Sequence, residues 1–285
     1  MKSKQRIGFE RYYEELFPER WPALKEALLA VPAMVSLEAG LRKPYFLDMA
    51  SVVAASALEV CPGERVLDLC AAPGGKSLIL ARAAGTSGSL TANDRSADRR
   101  ARLRRVLADH LPPELLARVL VTGHDAARWG LHEQGLYDRV LADVPCSSER
   151  HLVGAPQLTA RWSPARTRHL AIQAYAILAS GVQAAKAGGT VVYATCALSP
   201  RENDEVIAKL VDRRSAEVTV EEPSALAARL FDPVAGALRA AVALTTGVPP
   251  PRVDPEITRF GLQIWPDRAN GMGPIYFAQI GKRAG

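Results

Sequence analysis

Cysteine is scarce in this chain: Cys61, Cys70, Cys146 and Cys196 are the only four in 285 residues. No two form a Cys-x-x-Cys pair, and no His/Cys cluster has zinc-ligand spacing, so no metal site is expected. A chain of this length needs no disulfide framework, and free thiols in a reducing compartment are the expectation. Uncharged apolar runs long enough to cross a membrane are missing. The basic start Met1-Lys2-Ser3-Lys4-Gln5-Arg6 is followed by Glu10, Glu14 and Glu15, where a secretory leader needs an apolar core and a transit peptide avoids acids. A cytoplasmic place is expected on these grounds. The dinucleotide fingerprint Gly-x-Gly-x-x-Gly is absent, and so are internal repeats.

What is present is enough apolar material, 48% of residues, for a substantial core. A formal net charge of +6 favours a polyanionic partner such as a nucleic acid. Residues Phe9 to Leu29 read as helical, with Tyr13, Leu16, Phe17, Leu24 and Leu28 at helical spacing and Pro18 and Pro22 dividing the stretch. A loop from Pro32 to Pro44 and an apolar helix from Asp48 to Leu58 follow. From there strands alternate with helices: strands at Arg65–Leu69, Ser89–Asp94, Ala117–Thr122, Tyr137–Asp143 and Thr190–Thr195, and helices at Ser77–Ala84, Ala97–Leu107, Thr167–Ala187 and Glu202–Asp212. Gly188-Gly189 is read as the stop of the long helix. This alternation predicts a doubly wound, mostly parallel α/β sheet. Leu262–Pro266 and Ile275–Ile280 read as an antiparallel hairpin closing it. Residues 1–45 are expected to form an N-terminal helical extension and 46–285 the main domain. Pro249-Pro250-Pro251 marks an exposed loop, and residues 225–248 carry no clear pattern.

The loop Asp68-Leu69-Cys70-Ala71-Ala72-Pro73-Gly74-Gly75-Lys76-Ser77 follows the first of these strands and opens a helix. A nucleotide P-loop would need glycine where Cys70 stands, and Pro73 withholds an N–H from it. An S-adenosylmethionine loop fits better, since small residues let backbone approach a ligand at a helix N-terminus. Asp94 ends the second strand about 20 residues on, where an acid can hold ribose hydroxyls. Asp125 after the third strand is equally suited to an adenine amino group or to capping a helix. Asp143 ends the fourth.

Cys146, in Asp-Val-Pro-Cys-Ser-Ser, and Cys196, in Tyr-Ala-Thr-Cys-Ala-Leu-Ser-Pro, each follow a strand, one strand–helix–strand excursion apart. Reactive groups in such sheets collect beyond the carboxyl ends of strands, so the two thiols can share one crevice. Cys61 is read as a small buried hydrophobe, and Cys70 as a packing residue of the loop.

Taken in order and spacing, Leu-Asp-Leu-Cys-Ala-Ala-Pro-Gly-Gly-Lys-Ser, Ala-Asn-Asp-Arg-Ser, Asp-Arg-Val-Leu-Ala-Asp-Val-Pro-Cys-Ser-Ser and Tyr-Ala-Thr-Cys-Ala-Leu-Ser-Pro-Arg-Glu-Asn-Asp-Glu-Val-Ile resemble the RsmB/Sun-type RNA cytosine-5 methyltransferases. The resemblance runs from about Tyr45 to Gly-Pro-Ile-Tyr-Phe. With no obvious extra RNA-binding module, the layout looks most like the mitochondrial-type small-subunit rRNA member. It implies an S-adenosylmethionine-dependent enzyme acting on RNA, with rRNA favoured and tRNA the alternative. It also implies Cys196 as nucleophile, Cys146 assisting release of the product, Asp143 on the cytosine edge and Lys76 orienting Asp143. Cys70, Ala71, Ala72, Pro73, Gly74, Gly75, Lys76, Asp94, Arg99, Asp125, Ala126 and Asp143 are the implied cofactor residues. Ala194 and Val144 depart from many relatives, which carry Ser and Ala there. Chemistry alone does not order the two thiols, because DNA cytosine-5 methyltransferases use a Pro-Cys cysteine like Cys146 as nucleophile.

A target base must leave any helix to meet a thiolate. Arg95, Arg100, Arg102, Arg104 and Arg105, and Arg161, Arg166, Arg168 and His169, are candidate phosphate contacts. Tyr12, Tyr13 and Trp21 are expected to pack inward rather than meet RNA. A monomer is expected, with no protein partner indicated. Two other readings stand beside the enzyme: an RNA-binding ribosome assembly factor with methylation secondary or lost, and a small-molecule methyltransferase, which has no need of paired thiols.

Overall fold

The computed structural model describes residues 8–32, 34–160, 162–232 and 254–284. The basic start Met1 to Arg6, Arg161, residues 233–248 and the Pro249-Pro250-Pro251 loop lie outside the described residues.

Two helices come first, α1 (Phe9–Leu16) and α2 (Trp21–Leu29). The break falls at Pro18, whereas Pro22 sits in the first turn of α2, where its missing N–H has no partner to lose. A small antiparallel hairpin follows, β1 (Met34–Leu37), in the stretch read as loop, with β2 (Tyr45–Asp48), just beyond it. The hairpin is missed because its strands are four residues long and only partly buried, so they carry little alternation. The expected boundary at residue 45 falls inside it, since Tyr45 pairs with Leu37. Asp48 then caps α3 (Met49–Ser56), accepting from the Ala50 N–H.

The central sheet interleaves β3 (Arg65–Asp68), β4 (Ser89–Asn93), β5 (Val119–Thr122), β6 (Tyr137–Asp143), β7 (Ala185–Thr195), β8 (Val218–Val220), β9 (Glu256–Ile257), β10 (Leu262–Ile264) and β11 (Ile275–Lys282). The helices between them are α4 (Gly75–Ala84), α5 (Ala97–His110), α6 (Pro113–Leu116), α7 (Glu149–Val153), α8 (Pro156–Thr159), α9 (Pro164–Ala184), α10 (Asp204–Arg214) and α11 (Pro223–Phe231), with a 3₁₀ turn at Ala126–Leu131. Strand order is β5-β4-β3-β6-β7-β11-β10-β9, with β8 on β11. The first five strands of that order run parallel and β11 meets β7 antiparallel, as expected from the doubly wound pattern and its closing hairpin. A parallel sheet needs cover on both faces. One core holds α3, α4, α5 and α11 against one face, and a second holds α9 and α10 against the other.

Gly188-Gly189 does not end the long helix. α9 stops at Ala184 and β7 begins at once, pairing Ala185 with Tyr137; the next pair joins Thr190 to Arg139, and the ladder is irregular between them. Gly188, at φ +75°, supplies the backbone this bulge requires. Cys61 is exposed rather than buried, because it lies in the turn after α3 with its N–H held by the Glu64 carboxylate at 2.7 Å.

The α1 and α2 aromatics turn inward. Phe9, Tyr12 and Tyr13 on α1 and Trp21, Leu24 and Leu28 on α2 form a third core with Leu152, Trp162, Leu198 and Trp265. Burying a side chain of this size contributes roughly 1.5–3 kcal/mol each. Leu198 lies just past Cys196, so this aromatic pack braces the thiol loop from behind.

Candidate active site

Strand order reverses direction between β3 and β6, and ligands of open α/β sheets bind at that switch point, beyond the carboxyl ends. Asp68 ends β3 and Asp143 ends β6, and both line a cavity there. Its other walls are Tyr45, Leu47 and Ser51 from β2 and α3, and Cys70, Ala71, Ala72, Pro73, Gly75 and Lys76 from the loop into α4. Gly74 turns the loop at φ +124°, and a Cβ there would meet Leu103 and Val106 of α5 at 3.0–3.3 Å. A Cβ on Gly75 would come within 2.9 Å of the Tyr45 ring and 3.3 Å of Leu47, both lining residues of the cavity.

The sequence-predicted cofactor residues divide into two groups. Cys70, Ala71, Ala72, Pro73, Gly75, Lys76 and Asp143 line the cavity, and Gly74 turns the same loop without lining it. Asp94, Arg99, Asp125 and Ala126 lie along the same carboxyl edge, beyond β4 and β5. Asp94 is 4% exposed, its Oδ1 accepts from the Ser96 N–H, and its Oδ2 is buried without a hydrogen bond, 3.4 Å from Arg99 Nη2. Arg99 also donates to the Ala72 carbonyl at 2.6 Å, tying the loop to the acid. Asp125 Oδ1 caps the 3₁₀ turn through the Ala127 N–H, which is the capping reading. An orphaned buried carboxylate oxygen, a glycine loop and a row of acids fit a polar, hydroxyl-bearing ligand such as S-adenosylmethionine.

Asp68 is the residue sequence reasoning passed over. Burial, only partly offset by the Ser77 hydroxyl donating to it at 2.7 Å, pushes its carboxyl up to about 7, and its Oδ1 has no partner. Tyr45 and Ser51 were missed for another reason: they sit on a short strand and an apolar helix with no chemical signature. Cys70 is raised well above the thiol range by burial and then by Asp68, so it packs in the loop rather than attacks.

The two thiols meet. Cys146 Sγ and Cys196 Sγ lie 2.9 Å apart, and Ser148 Oγ is 3.5 Å from each. The Cys146–Cys196 hydrogen bond, working against desolvation and helped by Ser148, lowers Cys196 from its ordinary thiol value. The same bond, then burial, pushes Cys146 well up. The surrounding charges are mixed: Lys76 and Arg150 both gain from a charge on Cys196, Asp143 opposes it, and Glu149 opposes a charge on either thiol. Lys76 Nζ is 2.8 Å from Asp143 Oδ2 and donates to Ser51 Oγ at 3.1 Å. Desolvation lowers its pKa, but the charge and hydrogen bond of Asp143 outweigh that, and the net shift is upward.

Of the candidate RNA contacts, Arg95, Arg102, Arg104, Arg105, Arg166, Arg168 and His169 are exposed. Arg100 is not available in the same way, because its guanidinium donates to the carbonyls of Asp94 and Arg95. Arg168 lines a groove between α9 and α10 with Arg201, Lys209 and Glu205.

The chain resembles known proteins along most of its length. A family model described as 16S rRNA methyltransferase RsmB/F matches residues 55–279. The 5-cytosine rRNA methyltransferase NSUN4 of Bos taurus is 41% identical over 191 residues, 64% of this chain and 50% of that protein. The mitochondrial tRNA (cytosine(34)-C(5))-methyltransferase of Mus musculus is 31% identical over 243 residues, 85% of this chain and 64% of that one. The chain thus spans about half the length of the first of these curated relatives. Among solved structures, a methyltransferase homolog from Pyrococcus horikoshii superposes with a TM-score of 0.67 at 20% identity, over 98% of this chain and 96% of that one. NSun6 from the same organism, solved with SFG, gives 0.63 at 21%, over 85% and 54%. These two likenesses speak to the fold.

The expected cytoplasmic place is overturned by the relatives, since the enzymes of Danio rerio and Mus musculus are named as mitochondrial. Free thiols tell a reducing from an oxidising compartment, and do not tell one reducing compartment from another. Among the described residues no helix is long and apolar enough to cross a membrane. With a model of the family spanning residues 55–279 and the two cysteine motifs in their places at the ends of β6 and β7, this chain belongs to the RsmB/F family of 16S rRNA methyltransferases.

Proposed function

We propose that this chain is an S-adenosylmethionine-dependent RNA cytosine-5 methyltransferase, with rRNA as the favoured substrate, acting through a covalent bond between Cys196 and cytosine C6. The observation that carries the reading is the pair of thiols 2.9 Å apart, Cys196 favoured as the anion, beside a cavity lined by Asp143 and Lys76. The cavity residues Cys70 to Lys76, with Asp68, Asp94 and Arg99 along the edge, would hold the cofactor. S-adenosylmethionine, when bound, supplies an electrophilic methyl group for C5 of the base.

C5 of cytosine is a poor nucleophile until a thiolate adds to C6. The Cys196 sulfur forms a bond to C6, the C5–C6 π pair shifts to C4–C5, and the C4–N3 π pair takes a proton from water at N3, which returns to water when the double bond is restored. Asp143, held by Lys76, accepts hydrogen bonds from the N3–H and the exocyclic amine, which stabilises the adduct. After C5 is substituted, loss of its proton to a base restores the double bond and expels the Cys196 thiolate. Cys146 is assigned to this release: its S–H stands beside the leaving sulfur and donates to the returning charge. The rRNA preference rests on the names of NSUN4 relatives, and the tRNA alternative on those of the tRNA enzymes.

Labelled-methyl transfer to ribosomal and transfer RNA tests the reading. Cys196→Ala should lose detectable turnover, and Cys146→Ala should accumulate a denaturation-resistant protein–RNA adduct. Full turnover by Cys196→Ala rejects the nucleophile, and an adduct trapped by Cys196→Ala instead reverses the two roles.

A further inference from the structure

Behind the thiols lie two carboxyls that the reaction above does not use. Glu149 is 0% exposed and Glu202 1%. Ser147 Oγ stands 2.5 Å from Glu149 Oε1 and 2.6 Å from Glu202 Oε1, and the Ser147 N–H donates to Glu202 Oε2 at 2.9 Å. Glu149 Oε1 also accepts from the Tyr13 hydroxyl, and its Oε2 accepts from the Leu198 N–H at 3.2 Å.

A serine hydroxyl has one proton to donate. It satisfies one of the two short contacts at Ser147 Oγ, and the other requires a proton on a carboxyl. Both Glu149 oxygens accept from donors elsewhere, while Glu202 has Oε2 taken by the Ser147 N–H and Oε1 turned to the hydroxyl. The chain of donors therefore runs from Glu202 O–H to Ser147 Oγ, and from Ser147 O–H to Glu149. Ser147 adjoins Cys146 and Leu198 lies just past Cys196, so the chain bolts one thiol loop to the other.

We propose that Glu202 is the protonated member of a buried carboxyl pair with Glu149, and that the pair acts as a positioning device holding the two thiol loops in register with the negative charge on Cys196. This rests on the reading of Cys196 as the nucleophile. Burial, then the charge of Glu149, pushes Glu202 up to about 8. The titratable groups facing the pair are Cys146 in the same loop, Cys196 across from it, Tyr13 on α1, and Tyr193 on β7, whose hydroxyl donates to the Glu202 carbonyl. A second carboxylate here would add a negative charge beside the thiols, both of which Glu149 already disfavours as anions.

E202Q separates this from a merely structural role, because its amide can donate to Ser147 Oγ while its carbonyl accepts the Ser147 N–H. The stabilisation from neutral Glu202 is complete below its unfolded pKa of 4.5 and is lost as pH rises through about 8. Across that window the wild-type unfolding constant should rise by up to about tenfold per pH unit more than that of E202Q. The second readout is the ratio of iodoacetamide labelling at Cys196 to that at Cys146, by peptide mass spectrometry at pH 7.5. E202Q should keep the wild-type ratio and E202A should lower it several-fold; E149Q, which turns an amide N–H toward fixed donors, should lower it too. A melting curve for E202Q as depressed as that of E202A, or E149Q tolerated where E202Q is not, overturns the proposal. Both readouts are taken without RNA or methyl donor, so absence of methyl transfer counts against the proposed activity and leaves this inference standing.

Discussion

Replacing Lys76 with Met tests the electrostatics of the site most directly. Methionine keeps the apolar stem and most of the volume and removes the charge, with its hydrogen bonds to Asp143 and Ser51. The ammonium stands 2.8 Å from Asp143 Oδ2, with the two side chains 17% and 25% exposed. Opposite charges this close attract by roughly 4–6 kcal/mol at an effective dielectric near 20. Partial exposure and the relief of the ammonium's own desolvation bring the net loss to about 2–3 kcal/mol. For a chain of this size 1 kcal/mol moves the melting temperature by about 2–4 °C, so Lys76→Met should melt roughly 4–12 °C lower at pH 7.5. At pH 5.5 the loss should shrink. Without the cation, Asp143 and Asp68 repel, and protonating one of them at lower pH removes that cost; Asp68 is already pushed up to about 7. Differential scanning calorimetry at the two pH values reads both effects. A change below 1 °C at pH 7.5, or a larger loss at pH 5.5 than at 7.5, refutes the reasoning.

Arg150 donates to the carbonyls of Leu28, Ala30, Gly271 and Gly273, stitching the end of α2 to the turn before β11. Arg150→Ala strips several charge-assisted bonds at once and should cost about 3–5 kcal/mol in urea denaturation; a loss below 1 kcal/mol argues that water replaces them freely. Asp68, neutral in the fold below about 7 and ionised in the unfolded chain above 3.8, contributes stability that is complete below 3.8 and is lost as pH rises through about 7. Asp68→Asn should therefore flatten the pH dependence of stability between those values by up to about 1.4 kcal/mol per unit, and an unchanged slope counts against a buried neutral acid. Gly75→Ala pushes a methyl to within 2.9 Å of the Tyr45 ring at the cavity wall. Calorimetric titration with S-adenosylmethionine should show about tenfold weaker binding, near 1.4 kcal/mol, and equal affinity would place the ligand elsewhere.

Much of the site was legible because its chemistry is local. The loop from Asp68 to Ser77 must turn tightly between a strand and a helix, and only small residues with a glycine at positive φ do so, which leaves a readable string. Each thiol follows a strand, so its place at the carboxyl edge follows from alternation alone. Asp68 escaped notice although it stands in the quoted loop, because a strand-end acid looks the same whether its second oxygen is satisfied or left bare. Glu149 and Glu202 escaped because each reads as an ordinary charged residue, and only their meeting at Ser147 makes one of them neutral.

What the order of residues determined by itself was the alternating sheet, the cofactor loop and the candidacy of Cys146 and Cys196, all set by patterns a few residues wide. The tertiary structure alone decided that the sulfurs touch, so that their contact and burial shift the two thiols in opposite directions, and that α1 and α2 brace the Cys196 loop through Trp162 and Leu198. It also set the register in which β11 meets β7, Tyr276 opposite Thr195 and Gly281 opposite Thr190. The division has a physical cause: backbone periodicity is written in neighbouring residues, whereas a charge's preferred seat depends on every group that folding brings within a few ångströms of it.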